Sequence, residues 1–522
     1  MNPVNRTIPT PAATSRVDDE GKIDFRSATV LVQVPAVVTD KSGHHLQHLT
    51  REKFQVFENG KEQKIATFEE IVADNSPAAV PPSPGVFRNL SLDTQHPRSV
   101  VVIAIDTVNT PFLDQATARR ELLKFLADNL DSGQTVAMVQ ISSHGLKVIQ
   151  ELTTDPTALI GTLKKLGGEL PAMQDVDATT QSTLLSGNDS RSVLGQFARS
   201  GDLMYAQFKQ EQAIETTMRA FLEIAWSLAG VPGRKCLIWA TGGFPFNLDS
   251  PSVTPGGLLS AAYERAMQAL NDAQVSVYPV DVRGLLTAPP ATNNWLEGYK
   301  RDALKNFAAM TGGRAFYNSN DIAGGFRRAA DDSASYYLLG YYLDTKNTKS
   351  GWRRLSVKMR EKDTDAFARS GFLATDTTMG SHANRDFDFS YAVRSPLEAT
   401  GIPIWMQWQD MGGQSTNNND KKKIGFALHI PGASVATDGA ENAIDLDFVA
   451  VVATASGNGV GDPIQHPMKT KLSPETLARV KAQGMKYTSD LQLPAGSYEV
   501  RFVVRDNVSG KIGSISAPLT VN

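Results

Sequence analysis

One cysteine, Cys236, stands in 522 residues. A lone thiol excludes an intrachain disulfide and any multi-cysteine metal centre. Long apolar runs are missing too: nothing reaches the ~18–20 consecutive apolar residues of a membrane span. Neither sign of charge dominates, with 52 Lys and Arg against 55 Asp and Glu and a net charge of −3. That balance supplies no overall field for nucleic acid or for an anionic membrane. Also absent are a P-loop, a dinucleotide fingerprint after the first buried strand, a G-x-S-x-G elbow and an H-E-x-x-H pair. Nucleotide binding and common hydrolase chemistry are disfavoured accordingly. Cys236 lies inside the apolar run RKCLIWAT and reads as an inert core thiol.

What is present is a chain long enough for three or four domains at ~100–200 residues each. Residues 1–24 have the polar, Pro/Thr/Ser-containing composition of a disordered tail. They contain no apolar stretch of a signal peptide, although a leader removed upstream would leave the same sequence. Residues 25–72 alternate as strands, with Asn59-Gly60 as a two-residue hairpin turn. Residues 73–97 are rich in Pro, Ser and Asn and read as a linker.

From 98 to 335 near-continuous apolar strands (SVVIAID, TVAMVQIS, LKVIQELT, RKCLIWAT, VSVYPVDV, GRAFYN) alternate with helical periodicity. This implies a mainly parallel sheet with helices on both faces. Asp114 is the expected N-cap of the first helix, and Pro156 marks the first turn of the second. Residues 167–203 read as an irregular insertion, with a long helix from Tyr205. Residues 336–375 return to β, 376–390 read as a second linker, and 391–522 read as a β-sandwich. The sandwich holds one helix, with Ser473 as N-cap and Pro474 at its first position. Residues 25–72 and 336–375 are each too small to be stable alone. Together they supply about seven strands, enough for one split sandwich into which the α/β unit is inserted.

The α/β unit resembles a von Willebrand factor A (VWA) domain. The likeness rests on VVIAIDTVNT, on RKCLIWATGGFP, and on YPVDVRGL followed by LKNFAAMTGGRAFYN. The flanks VPAVVTDKSGHHLQHLTREKFQVFENGKEQKIATF and SYYLLGYYLDTKN…WRRLSVKM resemble a family of VWA-containing proteins common in Acidobacteria. The resemblance implies an α/β plus β architecture: a Rossmann-like, doubly wound sheet flanked by β-sandwich domains, inserted as in the integrin β subunit. It also favours a secreted or periplasmic location. No acid–base or nucleophile pair can be assembled from the sequence, so the leading reading is a non-enzymatic protein that serves protein binding or adhesion.

VWA domains bind Mg²⁺ at the carboxyl ends of their strands. The ligands are an Asp-x-Ser-x-Ser loop, a Thr from a middle loop, and an Asp in a later Asp-Gly turn. Mg²⁺ wants hard oxygen ligands in octahedral geometry, and a partner's carboxylate fills the open position. Here Asp106 matches the first position, Val108 replaces a hydroxyl, and Thr110 restores one. The Asp-Gly turn reads Thr241-Gly242, and the middle-loop Thr stays open among Thr179, Thr180 and Thr183. Three readings follow: a metal-dependent site, a degenerate metal-free one, or a shifted Mg²⁺ site of Asp106, Thr110, Thr241 and Asp281. In the third, Thr241 lies between the other two strand ends in one crevice; otherwise Asp106 and Asp281 cap nearby helix N-termini or pair with Arg283. Partner-binding loops are expected at Asn109, Pro111, Phe112, Gly242, Gly243 and Phe244. The alternatives are a metal-independent structural or assembly component and, last, an enzyme of unrecognised class.

His44, His45 and His48 lack helical spacing and read as a solvated hairpin rather than a metal cluster. Lys421-Lys422-Lys423 reads as an exposed loop. Trp405 and Trp408, three apart on a strand, are expected on opposite faces. Tyr336, Tyr337, Tyr341 and Tyr342 read as sandwich packing.

Overall fold

The computed structural model describes residues 29–72, 85–90, 99–129, 134–168, 193–244, 260–285, 294–344, 351–374, 385–409, 421–438 and 441–522. The expected disordered tail 1–24 and the threonines Thr179, Thr180 and Thr183 lie outside them.

The centre is a five-stranded sheet. Its strands are β6 (Val100–Asp106), β7 (Thr135–Ser142), β8 (Gly145–Thr153), β9 (Lys235–Thr241) and β10 (Val275–Asp281), in the order β10-β9-β6-β7-β8. β8 is antiparallel to β7; the other pairs are parallel. Every residue of β6, β7, β9 and β10 is buried, which is why these strands read as unbroken apolar runs. One face packs against α1 (Phe112–Asn129), α2 (Pro156–Lys165) and α6 (Ile322–Ala334) through residues such as Leu122, Phe125, Leu159 and Phe326. The other packs against α3 (Val193–Leu228), α4 (Ser260–Asp272) and α5 (Asn294–Thr311) through Phe221, Leu270 and Phe307.

Three local readings change. Asp114 falls in the first turn of α1 rather than before it. α3 begins at Val193, inside the stretch expected to be irregular. GRAFYN forms a single bridge, Phe316 to Val280, rather than a strand. Gly313 explains part of this: a Cβ there would meet the Val277 carbonyl oxygen at 2.0 Å, so the chain crosses this edge at close quarters.

Before and after this unit run β1 (Thr29–Asp40), β2 (Phe54–Glu58), β3 (Lys61–Gln63) and β4 (Thr67–Val72), then β11 (Ser335–Asp344), β12 (Gly351–Met359), β13 (Thr364–Ala368) and β14 (Gly371–Ala374). They interleave into two four-stranded sheets, β13-β1-β11-β4 and β14-β12-β2-β3. One apolar cluster, with Val34, Phe54, Val56, Tyr337, Tyr341 and Leu355, is shared between the sheets. Asn59 and Gly60 both take positive φ at the β2–β3 turn, as the hairpin requires. Tyr336, Tyr337 and Tyr341 are buried, whereas Tyr342 is exposed.

The third body holds β15 (Trp405–Gln409), β16 (Lys421–Ile430), β17 (Ala443–Thr454), β18 (Ile464–Lys471), β19 (Met485–Pro494), β20 (Gly496–Asp506) and β21 (Ile512–Val521). Its sheets are β19-β16-β15-β5 and β18-β17-β20-β21, over one core that includes Phe426, Phe448 and Phe502. β5 (Val86–Arg88) comes from the stretch read as a linker. A three-residue strand is too short to show a period of two. α7 (Arg385–Arg394) likewise starts inside the second expected linker. α8 (Pro474–Gln483) has the expected cap, with Ser473 accepting from the Thr476 amide. Lys421, Lys422 and Lys423 are exposed, but on β16 rather than in a loop. Trp408 packs near Phe502 and Trp405 beside His429.

Candidate functional site

The winding reverses between β6 and β9: from β6 the chain moves outward to β7 and later returns to β9 on the other side. A crevice at such a switch point is the usual ligand position in an open α/β sheet. Asp106 ends β6, Thr241 ends β9 and Asp281 ends β10, directly beside Thr241 in register. Thr241's strand lies between those of Asp106 and Asp281, as expected.

The chemistry at this edge differs from a metal site. Asp106 is buried, and its carboxylate is saturated by protein donors. Oδ1 accepts the Asn109 amide at 3.0 Å. Oδ2 accepts Asn109 Nδ2 at 2.8 Å, Trp239 Nε1 at 2.9 Å and Thr241 Oγ1 at 3.0 Å. Burial pushes its pKa up, and the donors from Asn109, Trp239 and Thr241 oppose that rise. Thr110 Oγ1 accepts the Gly242 amide at 2.8 Å. Asp281 is held by Arg283, with Nη2 at 2.8 Å and Nε at 2.9 Å.

These residues do not fit Mg²⁺. A divalent ion needs oxygen lone pairs turned toward it. Here three N–H groups and a hydroxyl surround Asp106, and a guanidinium occupies Asp281. The four expected ligands fall into three separate interactions: Asp106 with Thr241, Thr110 with the Gly242 amide, and Asp281 with Arg283. Among the described residues, no group of three or more His, Cys, Asp or Glu is placed to hold a metal ion.

The expected partner-binding residues also divide. Pro111 and Phe112 are exposed, whereas Asn109, Gly242, Gly243 and Phe244 are buried. Phe244 turns into the core, edge-on to Trp239 and Phe307. A Cβ on Gly242 would lie 2.7 Å from Pro111 Cδ and 2.9 Å from Thr110 Cα, so the two loops are packed backbone to backbone. That contact leaves no room for a ligand between them.

Of the two partners that the sequence reading did not assign to Asp106, Trp239 was signalled by strand alternation, whereas Asn109 sits in the loop three residues on. Leu237 and Trp239 lie on the face of Val102 and Ala104, and Trp239 stands opposite Ala104. A long side chain two residues short of the strand end reaches the terminal carboxylate on that face. Asn109 Nδ2 also donates to Thr217 of α3 at 3.0 Å, while its Oδ1 is buried without a hydrogen-bond partner.

The histidines separate as well. His44 bonds Asp40, and His48 lies near Glu70. His45 Nε2 instead reaches the fully buried Asp332 of α6 at 2.8 Å, alongside Arg314. This is a tether between bodies rather than a solvated hairpin residue. Cys236 is buried, its thiol pushed well up by burial, with Sγ donating to the Ala329 carbonyl. No helix among the described residues is long and apolar enough to cross a membrane.

No protein-family model matches the chain, and no curated protein matches it. Among solved structures, the SpRpn10 VWA domain is similar over 44% of this chain and 93% of its own, at 8% identity and a TM-score of 0.22. The TFIIH p34 N-terminal domain is similar over 44% of this chain and 96% of its own, at 11% identity and 0.21. The structural-genomics target SoR45 covers 23% of this chain and 88% of its own, at 13% identity and 0.16.

Proposed function

We propose that this chain is a non-catalytic, VWA-like interaction protein that captures a protein ligand at the carboxyl edge of the central sheet without a divalent cation. The supporting observation is an apolar surface on a locked frame. Leu113 is 79% exposed, Leu285 50% and Phe112 42%. Phe112 and Leu113 open α1, and Leu285 follows β10. Asp114 feels the charges of both Arg283 and Asp281, so these two loops adjoin. Exposed apolar side chains grouped at a strand-end edge are the usual anchors of an interface. The Asp106 network holds the loop that leads to Phe112 and Leu113, and Asn320 accepts the Leu285 amide, which lowers the ordering cost of binding.

The reading is tested by placing a photo-crosslinking residue at Leu113, and in a control at the exposed Val72, in the full chain. A partner captured from Leu113 and not from Val72, equally with Mg²⁺ or EDTA, is the expected result. Cation-dependent capture, or identical capture from both positions, overturns it.

A further inference from the structure

A second recess lies away from that edge, where the α/β unit meets the third body. It has a volume of about 410 Å³, within the range of small-molecule sites. Its floor joins the sheet face, at Val102, Ala137 and Val139, to the end of α3 and the turn after it, at Ile224, Leu228 and Val231. These residues belong to one core cluster, so the recess opens where α3 leaves the β7 side of the sheet.

The far wall is rigid. Arg501 is almost wholly buried and donates to the Ala392 and Leu397 carbonyls and to Ser514 and Ser516. Asn89 donates to the Ala399 and Ile402 carbonyls and accepts the Ile404 amide. Thr400 accepts the Gly230 amide at 2.8 Å and donates to the Ser227 carbonyl at 2.9 Å. Together these bonds pin residues 392–404 over α3.

The lining is mainly acidic. Glu151, Glu398 and Glu499 line the recess, and both other carboxylates act electrostatically on Glu398. Glu151 and Glu499 have no hydrogen-bond or ion-pair partner among the described residues. Against these three carboxylates the lining sets one guanidinium, Arg501, whose charge acts on Glu398 and Glu499 while its N–H groups go to carbonyls and hydroxyls, and Glu398 Oε1 also accepts the Ser516 amide at 2.9 Å. An apolar floor beneath a rim with this excess of carboxylates selects an apolar body that carries a positive charge at one end.

We propose that this recess binds a primary ammonium on an apolar stem, with the stem on the Val102–Val139–Leu228 floor and the ammonium against Glu398. The site is independent of the strand-end surface.

The test is calorimetric titration of the full chain at neutral pH with n-hexylamine, hexan-1-ol and hexanoate. Saturable, one-site binding of hexylammonium is expected, with hexanoate at least tenfold weaker. Ala137→Phe, which fills the floor, should abolish binding. Glu398→Gln, which keeps the shape, should weaken hexylammonium at least fivefold and leave hexanol unchanged. If Ala137→Phe does not fold, Glu398→Gln decides. No saturable binding, equal binding of hexanoate, or full affinity in Glu398→Gln overturns the proposal.

Discussion

Trp239 Nε1 donates to Asp106 Oδ2 at 2.9 Å, so an indole from the neighbouring strand occupies the side of the carboxylate that a cation would need. Asn109 and Thr241 complete the same ring of donors. A carboxylate buried among neutral donors is a structural fastener, because each donor would otherwise be left without a partner.

Trp239→Phe should therefore destabilise the folded chain by about 1–3 kcal/mol, and Asp106→Ala by more, because it orphans several buried donors. Urea denaturation with Mg²⁺ or with EDTA should give the same midpoint for wild type. A midpoint that rises with Mg²⁺ and is lost in Asp106→Ala would show that the carboxylate can be recruited to a metal.

Lys235 is buried at the start of β9, where Nζ donates to the Val231 carbonyl at 2.7 Å. Burial pushes its pKa from 10.5 down to about 7. Between those values the unfolded chain holds a proton that the folded chain releases, so stability rises with pH across that window. Wild type should gain on Lys235→Met from pH 7 to pH 10, by up to about 1.4 kcal/mol per pH unit. Parallel stability curves for the two proteins would show that the ammonium is solvated in the fold.

Asp332 is fully buried and binds both His45 and Arg314. Burial alone would raise its pKa, but His45 and Arg314 override that and hold it below the ordinary value of 3.8. Its stabilisation is thus present above that value and is lost as pH falls through the lower folded one. Asp332→Ala should cost about 3–5 kcal/mol, since it removes the buried carboxylate that pairs with Arg314. His45→Gln should cost less, and its effect should be sub-additive with Asp332→Ala in a double-mutant cycle.

Residues 25–72, expressed alone, should show no dispersed amide spectrum. β1 pairs on both sides with strands beyond residue 334, and β2 and β4 each owe one partner to that region. Independent folding of the fragment would mean that its strands can pair among themselves.

The central sheet was legible because its strands are buried on both faces, and an unbroken apolar run such as VVIAID has few other readings. Strand order followed once the winding was recognised, which placed Thr241 between Asp106 and Asp281. The site's chemistry was less legible. Residue type made Asp106 a ligand; burial and the reach of Trp239, a three-dimensional fact, made it an acceptor. Phe244 looked like a loop aromatic because Gly242-Gly243 precedes it, yet its ring closes the Trp239–Phe307 cluster. β5 and the tether from His45 to Asp332 depend on partners hundreds of residues away, and no local pattern encodes those.

The interleaving of β1–β5 with later strands also sets a schedule for synthesis. β1, β2 and β4 emerge from the ribosome long before β11 and β12, and β5 long before β15. Two sheets close from one uninterrupted stretch of chain, the five-stranded one and β18-β17-β20-β21, and of these the five-stranded sheet is made first. It is therefore the unit that can be complete while the rest is still being made. The earlier strands wait as unpaired edges in the meantime, open to the wrong partner until residue 335 and beyond are delivered.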